Sequence, residues 1–499
     1  METVVVPVEQ RAAARTVRRP EPCALVIFGA SGGLTQTKLM PALYHLSRRE
    51  LLPERFALVG YARTAMDRTA FIDAMRKGVN DADEKAWGDF AQNLAYLPGT
   101  YQAAADFKRL KALLDDLDKR RGTQGNRLYY LALPPEVVPD VVNNLAAAEM
   151  IQPPQPAPFT RVVFEKPFGH DLESAQDLNR LVEQVLAESQ AFRIDHYLAK
   201  ETVQNILVFR LANSFLEPLW NRQHLDHVQI TAAEDIGLEG RGGFYDQAGV
   251  VRDVAQSHLL QVLSLVAMEP PIGWDADAIR DQKMQVFRSL RPLAPEDVAR
   301  DVVPGQYRGY REEPKVAADS KTPTFVAFRV FIDNWRWQGV PFYVRAGKRL
   351  ARRLTEVTMQ FSEIPLCLFG RRDVCAAIEP NVLTLRLHPD EGIDLEFTQK
   401  VPGEDLDVRR ATMRFRYASE FGGEPPEAYQ RVLLDCMRGD TTLFIRDDAI
   451  EASWRFVMPI LEAWEKGALP EFPNYEPGSW GPRAADQLLA RDGRQWRNR

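Results

Sequence analysis

The stretch CALVIFGASGG, Cys23 to Gly33, together with the helical pattern behind it, decides the fold. A short, uninterrupted apolar run is what a strand buried on both faces requires, because neither face meets water. The run passes directly into Gly29-Ala30-Ser31-Gly32-Gly33, then into a segment with Leu39, Leu43 and Leu46 on one side. Strand, glycine turn and helix together let the backbone approach a pyrophosphate, and the helix N-terminus offers it unpaired N–H groups. Read literally the spacing is G-x-x-G-G and not G-x-G-x-x-G, so the context carries more of the reading than the glycines do. Pro41 predicts a kink or a late helix start, since proline has no N–H and its ring crowds the preceding turn.

Outward from this unit the pattern alternates. Phe56–Tyr61 (FALVGY), Leu128–Leu133 (LYYLAL) and Val162–Glu165 read as strands, and Leu110–Leu117 and Val137–Leu145 carry helical periodicity. That alternation predicts an α/β Rossmann-type dinucleotide-binding domain over residues 23–195. An acid after the second strand would bind the ribose hydroxyls of NAD; here Ala62 and Arg63 follow, and an arginine suits the 2′-phosphate of NADP. Lys166 in EKPFG stands at a strand's carboxyl end, where open α/β sheets bind ligands. After Ile194, strand-like segments at 227–232, 324–332, 340–345, 356–361, 382–387 and 393–398 follow with few helices between them. They predict a larger α+β domain, residues 196–499, built on a mainly antiparallel sheet.

Size and composition agree with this. A chain of 499 residues is enough for two or three domains at ~100–200 residues each. The net charge of −6 argues against nucleic-acid binding. No apolar run approaches the ~20 residues of a membrane helix. Cys23, Cys367, Cys375 and Cys436 are scattered without metal-ligand spacing, so reduced thiols, a cytoplasmic location and no metal are expected. Residues 1–22 lack a continuous apolar segment of the secretory kind and are expected to form a disordered tail.

The chemistry concentrates in RIDHYLAKE, Arg193–Glu201, where a strand ends. His196, Tyr197 and Lys200 bring hydrogen-bond donors and positive charge suited to a phosphate, and leave Asp195 free for another task. In the helical stretch Val250–Met268, His258 lies on the inward stripe with Val251 and Val254. Asp253 is its nearest carboxylate in sequence, but five α-helical positions separate them by ~140°, so Asp253 is expected to face elsewhere and meet a ligand by itself. Asp195 is the better partner: a buried carboxylate on one imidazole nitrogen fixes the tautomer and stabilises the imidazolium formed when the other takes a proton. A base of this kind beside a nicotinamide site points to alcohol oxidation, to which it contributes ~10²–10⁴-fold.

GASGGLTQTKLMPALY, GYART, YLALPP, FEKPFG, RIDHYLAKE, EGRGGFYDQAGVVRDVAQSHLLQ, PFYVRAGKRL and GSWGP, in this order, resemble the glucose-6-phosphate dehydrogenase family. The resemblance runs from about residue 24 to the last few residues. It implies oxidation of C1 of glucose 6-phosphate with NADP to 6-phosphogluconolactone, the entry step of the pentose phosphate pathway. It also implies His258 as base, Asp195 as its dyad partner, and phosphate binding by His196, Tyr197 and Lys200. Lys166 matches a lysine between substrate and cofactor, and Glu234, Asp253, Lys348 and Arg353 match sugar-binding positions. Gly29, Ala30, Ser31, Gly32, Gly33 and Arg63 fall on the NADP site. Similar proteins are homodimers or homotetramers assembled through the large sheet.

The chain departs from the family pattern at Gly33, usually Asp, and at Gln36 and Thr37, where basic residues are common. Ala199 replaces a glycine, and His388 stands where eukaryotic relatives often have Gln. Gly33, Gln36 and Thr37 keep in view the same chemistry with NAD preferred; a second alternative is an inactive paralogue that senses sugar phosphate or NADP, against which the intact Asp195 and His258 speak.

Overall fold

The computed structural model describes residues 19–422 and 427–498. Most of the expected N-terminal tail, residues 1–18, lies outside the described residues. The first half lays down β1 (Cys23–Phe28), β2 (Phe56–Ala62), β3 (Leu94–Pro98), β4 (Arg127–Leu131), β5 (Thr160–Phe164) and β6 (Ala191–Ile194). All six pair in parallel, in the order β6-β5-β4-β1-β2-β3, and β1 is buried along its whole length. Helices on both faces exclude water from this sheet, which is why its strands read as continuous apolar runs.

The second half contributes β7 (Leu225–Ala233), β8 (Val302–Gly305), β9 (Phe325–Val330), β10 (Phe342–Gly347), β11 (Leu354–Phe361), β12 (Val382–His388), β13 (Gly392–Lys400) and β14 (Val408–Arg416). They form one sheet in the order β14-β13-β12-β11-β7-β10-β9-β8, antiparallel throughout except for the parallel pair β7 and β10. The α/β plus antiparallel α+β architecture expected from the sequence is therefore what the chain adopts. β14 was hidden in the sequence by its composition: VRRATMRFR puts arginines on a half-exposed outer strand, where alternation with apolar residues is weak.

Two C-terminal elements cross back to the first sheet. β15 (Phe444–Ile445) pairs antiparallel with β6 on its edge, and the helix Ala428–Arg438 joins the apolar cluster on that face through Val432, Leu433 and Cys436. The two halves are thereby tied together at β6, the strand that ends in Asp195.

The cysteines correct one expectation. Cys367 and Cys375 form a disulfide, Cα atoms 5.8 Å apart, while Cys23 and Cys436 are buried free thiols. The pairing follows from the fold of the loop after β11: the short helix Arg372–Ala376 returns the chain so that the second sulfur meets the first. Nothing in a spacing of eight residues announces such a return.

Pro41 does not mark a helix start. The helical chain runs from Gly33 through a π-helical turn, Thr35–Leu39, straight into the α-helix Met40–Arg48, whose second residue is Pro41. The change of winding falls directly before the proline, which has no N–H to give to the preceding turn.

Candidate active site

Parallel strand pairing delivers the central residues in pairs. In β5 and β6, Phe164 stands beside Arg193, so Lys166 and Asp195 emerge two residues later at adjacent carboxyl ends. In β7 and β10, Ala233 stands beside Gly347, so Glu234 and Lys348 emerge together and form a close ion pair. Lys348 also lies over the Tyr245 ring, 5.1 Å from its centroid. Arg353 is exposed immediately before β11 and shares its electrostatic neighbourhood with Lys200 and His388.

Asp195 and His258 form the buried centre. His258 Nδ1 lies 2.5 Å from Asp195 Oδ1, and both residues are 2 % exposed. Burial would raise the Asp195 pKa, but His258, aided by hydrogen bonds that include the Tyr197 backbone N–H, holds it well below the carboxylate range. Burial dominates at His258 and lowers its pKa, against the opposing pull of Asp195. The pair is thus a carboxylate and a neutral imidazole at neutral pH. The carboxylate holds the imidazole proton on Nδ1 and leaves Nε2 as an acceptor.

The second carboxylate contradicts the sequence expectation. Residues Val251–Leu259 are π-helical, between an α-helix ending at Val250 and another beginning at Leu260. Hydrogen bonding from i to i+5 brings residues five apart onto one face, where an α-helix would separate them. Asp253 and His258 therefore face the same space, and Lys166 joins them. Its Nζ is 3.0 Å from Asp253 Oδ1, 2.9 Å from the Asp253 carbonyl oxygen and 3.0 Å from His258 Nε2. Asp253 does not act by itself; burial raises its carboxyl pKa, but Lys166, with Lys348 and His258, lowers it further than burial raises it.

His196, Tyr197 and Lys200 gather on the open side. The Tyr197 ring stacks on His258 at 4.2 Å, the His196 ring meets His258 edge-on at 4.6 Å, and Lys200 Nζ lies 4.5 Å from the Tyr197 ring centroid. Burial, then the neighbouring His258, push His196 down to about 3, so its imidazole is neutral. Burial lowers the Lys200 pKa as well, with Glu391 opposing it. Asp195, His196 and His258 place ligand atoms within 4.8 Å of one another, but the Asp195 and His258 atoms bond each other and do not flank an ion.

The glycine loop lies at the far end of β1. Gly29 has φ +81°, and a Cβ there would fall 2.1 Å from the Ala132 carbonyl oxygen, so no other residue fits this turn. Ala30 is buried, whereas Ser31, Gly32 and Gly33 are exposed. Gly33 has no positive φ, and no atom lies within 4 Å of the place a Cβ would take, so the backbone does not demand glycine there. Gln36 turns to donate to the Ala74 carbonyl at 2.9 Å, and Thr37 donates to the Gly33 carbonyl at 2.8 Å. Arg63 is exposed at the end of β2, 5.7 Å from the Tyr101 ring centroid, and makes no ion pair among the described residues. Thr64 donates to Ser31 Oγ at 2.9 Å and ties this corner to the loop. The residues present fit a nicotinamide dinucleotide. Ala199, in place of glycine, is accommodated without a positive φ.

Two contributors carried no sequence signal. Tyr245 supports Lys348, and Thr355 at the start of β11 bonds the Tyr197 hydroxyl. Each belongs to an ordinary-looking helix or strand.

Comparison with known proteins converges on one family. Residues 26–205 match the family model described as glucose-6-phosphate dehydrogenase, NAD binding domain, and residues 207–497 match the C-terminal domain of the same family. The chain is 44 % identical to glucose-6-phosphate 1-dehydrogenase of Chlamydia pneumoniae over 494 residues, 95 % of this chain and 96 % of that protein. It is 42 % identical to glucose-6-phosphate 1-dehydrogenase 2 of Mycobacterium tuberculosis over 506 residues, 98 % of this chain and 97 % of that protein. A solved glucose-6-phosphate dehydrogenase in complex with glucose 6-phosphate superposes with a TM-score of 0.88 at 33 % identity, covering 96 % of this chain and 99 % of the other. The Mycobacterium avium enzyme gives 0.84 at 40 % identity, covering 97 % and 99 %. Family models over nearly the whole chain and relatives matched end to end leave one conclusion: this chain belongs to the glucose-6-phosphate dehydrogenase family.

Proposed function

We propose that this chain oxidises D-glucose 6-phosphate at C1 to 6-phospho-D-glucono-1,5-lactone with NADP, the first step of the oxidative pentose phosphate pathway. The observation that carries the reading is the buried Asp195–His258 pair with Nε2 turned toward a space lined by cationic and hydroxyl-binding groups. Nε2 takes the proton of the C1 hydroxyl, and Asp195 stabilises the imidazolium that results. When bound, the nicotinamide accepts the hydride from C1. Lys200 supplies charge to the phosphate, while neutral His196 and Tyr197 supply hydrogen bonds. Glu234, Asp253, Lys348 and Arg353 hold the sugar hydroxyls, and Lys166 orients the sugar against the cofactor.

On the cofactor side, Gly29, Ala30, Ser31, Gly32 and Gly33 form the pyrophosphate turn and Arg63 takes the 2′-phosphate, which favours NADP over NAD. Residues 23–195 serve the cofactor and residues 196–499 the substrate. The protein works in the cytoplasm as a homodimer or homotetramer joined through the large sheet. Exposed Met413 on β14 and exposed Phe421 just beyond it support an apolar contact there. The alternative of an inactive sensor has no observation in its favour, and the close contact of His258 with Asp195 speaks against it.

The test is reduced-cofactor formation from glucose 6-phosphate with NADP and NAD side by side, on wild type and His258→Asn. Activity with NADP preferred, and a ~10²–10⁴-fold loss of kcat in a variant that still binds glucose 6-phosphate, supports the proposal. Near-normal turnover of His258→Asn rejects the base, and a preference for NAD rejects the role of Arg63.

A further inference from the structure

Beside the segment 195–200 lies a cavity of about 360 Å³ that the chemistry above does not use. Its walls come from the helices Glu201–Leu211 and Ala276–Ser289, and from the segment 439–443 that leads into β15. Leu198, Leu207, Leu265 and Ile279 give it apolar lining, and Thr441 and Thr442 line it as well. Lys283 lines it too. That residue is 2 % exposed and makes no hydrogen bond or ion pair among the described residues.

The other charges around Lys283 are already engaged. Arg431 pairs with Asp435 at 2.7 Å, Asp275 accepts from the Ala278 N–H at 3.0 Å, and Asp440 accepts from the Thr442 N–H at 2.9 Å. From neighbouring elements Lys283 feels Asp195 at the end of β6, Arg280 on its own helix and Arg446 ahead of the C-terminal helix. Arg280 is paired with Asp277, and Arg446 with Asp448 and Asp281. Asp195 is committed to His258 through Oδ1, and its buried Oδ2 accepts no hydrogen bond from Lys283 or any other group among the described residues. A buried ammonium without an anion at hydrogen-bonding distance is costly, and burial pushes Lys283 down to about 7.

We propose that this cavity binds a small monocarboxylate with an apolar body, its carboxylate on Lys283 and its tail against Leu198, Leu207 and Ile279. One spare positive charge calls for one negative charge. A dianionic phosphate is disfavoured by Asp275 and Asp440 in the same walls and leaves the apolar side uncovered. The volume falls within the ~300–1,000 Å³ of small-molecule sites.

Calorimetric titration of the full-length protein with hexanoate tests the site, with hexan-1-ol and inorganic phosphate as controls. Hexanoate is expected to bind once per chain, with or without saturating glucose 6-phosphate, and to weaken by about tenfold or more in Lys283→Met, the loss of one charge-assisted hydrogen bond. Binding also weakens from pH 6.5 to pH 9 as Lys283 loses its proton, with proton uptake visible as a dependence on buffer ionisation enthalpy. Thr442→Trp, at the half-exposed rim, fills the cavity while leaving Lys283 in place and should abolish hexanoate binding even if Lys283→Met does not fold. Equal hexanoate affinity in wild type and Lys283→Met overturns the proposal. So does folded wild type that binds no hexanoate, or tighter binding of phosphate at a site that Thr442→Trp blocks.

Discussion

Lys166 Nζ lies 3.0 Å from His258 Nε2, the ring nitrogen opposite the one that Asp195 holds. A lysine ammonium therefore donates to the lone pair that must receive the substrate proton. In the proposed reaction the C1 hydroxyl takes that place, and Asp253, 3.0 Å from the same Nζ, is the partner left to Lys166.

Lys166→Met should shift the pH dependence of turnover in a defined direction. The Lys166 charge, after burial, is one of the influences that lower the His258 pKa. Removing it raises that pKa, and the base must be unprotonated to act, so the acid limb of kcat/KM moves to higher pH. The profile of kcat/KM against pH decides it: an unmoved or lower acid limb contradicts the contact.

Lys200→Ala should separate phosphate binding from sugar binding. A charge-assisted hydrogen bond contributes ~1.5–3 kcal/mol, so kcat/KM for glucose 6-phosphate falls ~10–100-fold. Free glucose, with no phosphate to hold, should lose little. Parallel losses for the two sugars would place Lys200 elsewhere in the reaction.

Arg63→Ala should lower kcat/KM for NADP by ~10–100-fold on the same energetic grounds and leave NAD nearly unchanged. Steady-state kinetics with both cofactors reads the ratio. Equal effects on both would remove Arg63 from the 2′-phosphate.

The two loop glycines should differ in urea denaturation. Gly29→Ala forces a Cβ against the Ala132 carbonyl at a φ of +81° and should cost ~1–3 kcal/mol. Gly33→Ala meets nothing and should be neutral or stabilise by up to ~1 kcal/mol through the unfolded chain. A similar cost at both positions would contradict the turn geometry.

Lys283→Met should flatten the pH dependence of stability. In the unfolded chain a lysine titrates near ~10.4, whereas Lys283 in the fold titrates at about 7. The unfolded state binds the extra proton between those values, so wild-type stability is full above the upper one and falls as pH drops toward the lower. The variant has no such proton to bind. Denaturation midpoints at pH 9.5 and pH 7.5 should differ more for wild type than for Lys283→Met, and an equal difference would show that Lys283 is not buried as described.

Local patterns settled much of this protein in advance, for a physical reason. Buried parallel strands must be apolar throughout, a pyrophosphate turn needs a residue with positive φ, and a carboxylate at a strand's carboxyl end and a histidine on a helix's inward stripe stand out because buried polar groups need partners. Gly29, Asp195, His258 and Lys200 are legible on those grounds, and so is the division into a parallel and an antiparallel sheet. Tertiary structure decided what depends on the path of the chain between distant segments. The π-helical turn that brings Asp253 under Lys166 changes the helical period from within, and no residue type signals it. The Cys367–Cys375 bond depends on a loop returning on itself, and β15 reaches β6 only because the C-terminal segment crosses back. Lys283 looks like any helix lysine until Trp274, Arg431 and Leu443 close around it. Sequence periodicity reports which side of an element is buried; what it is buried against is set by packing.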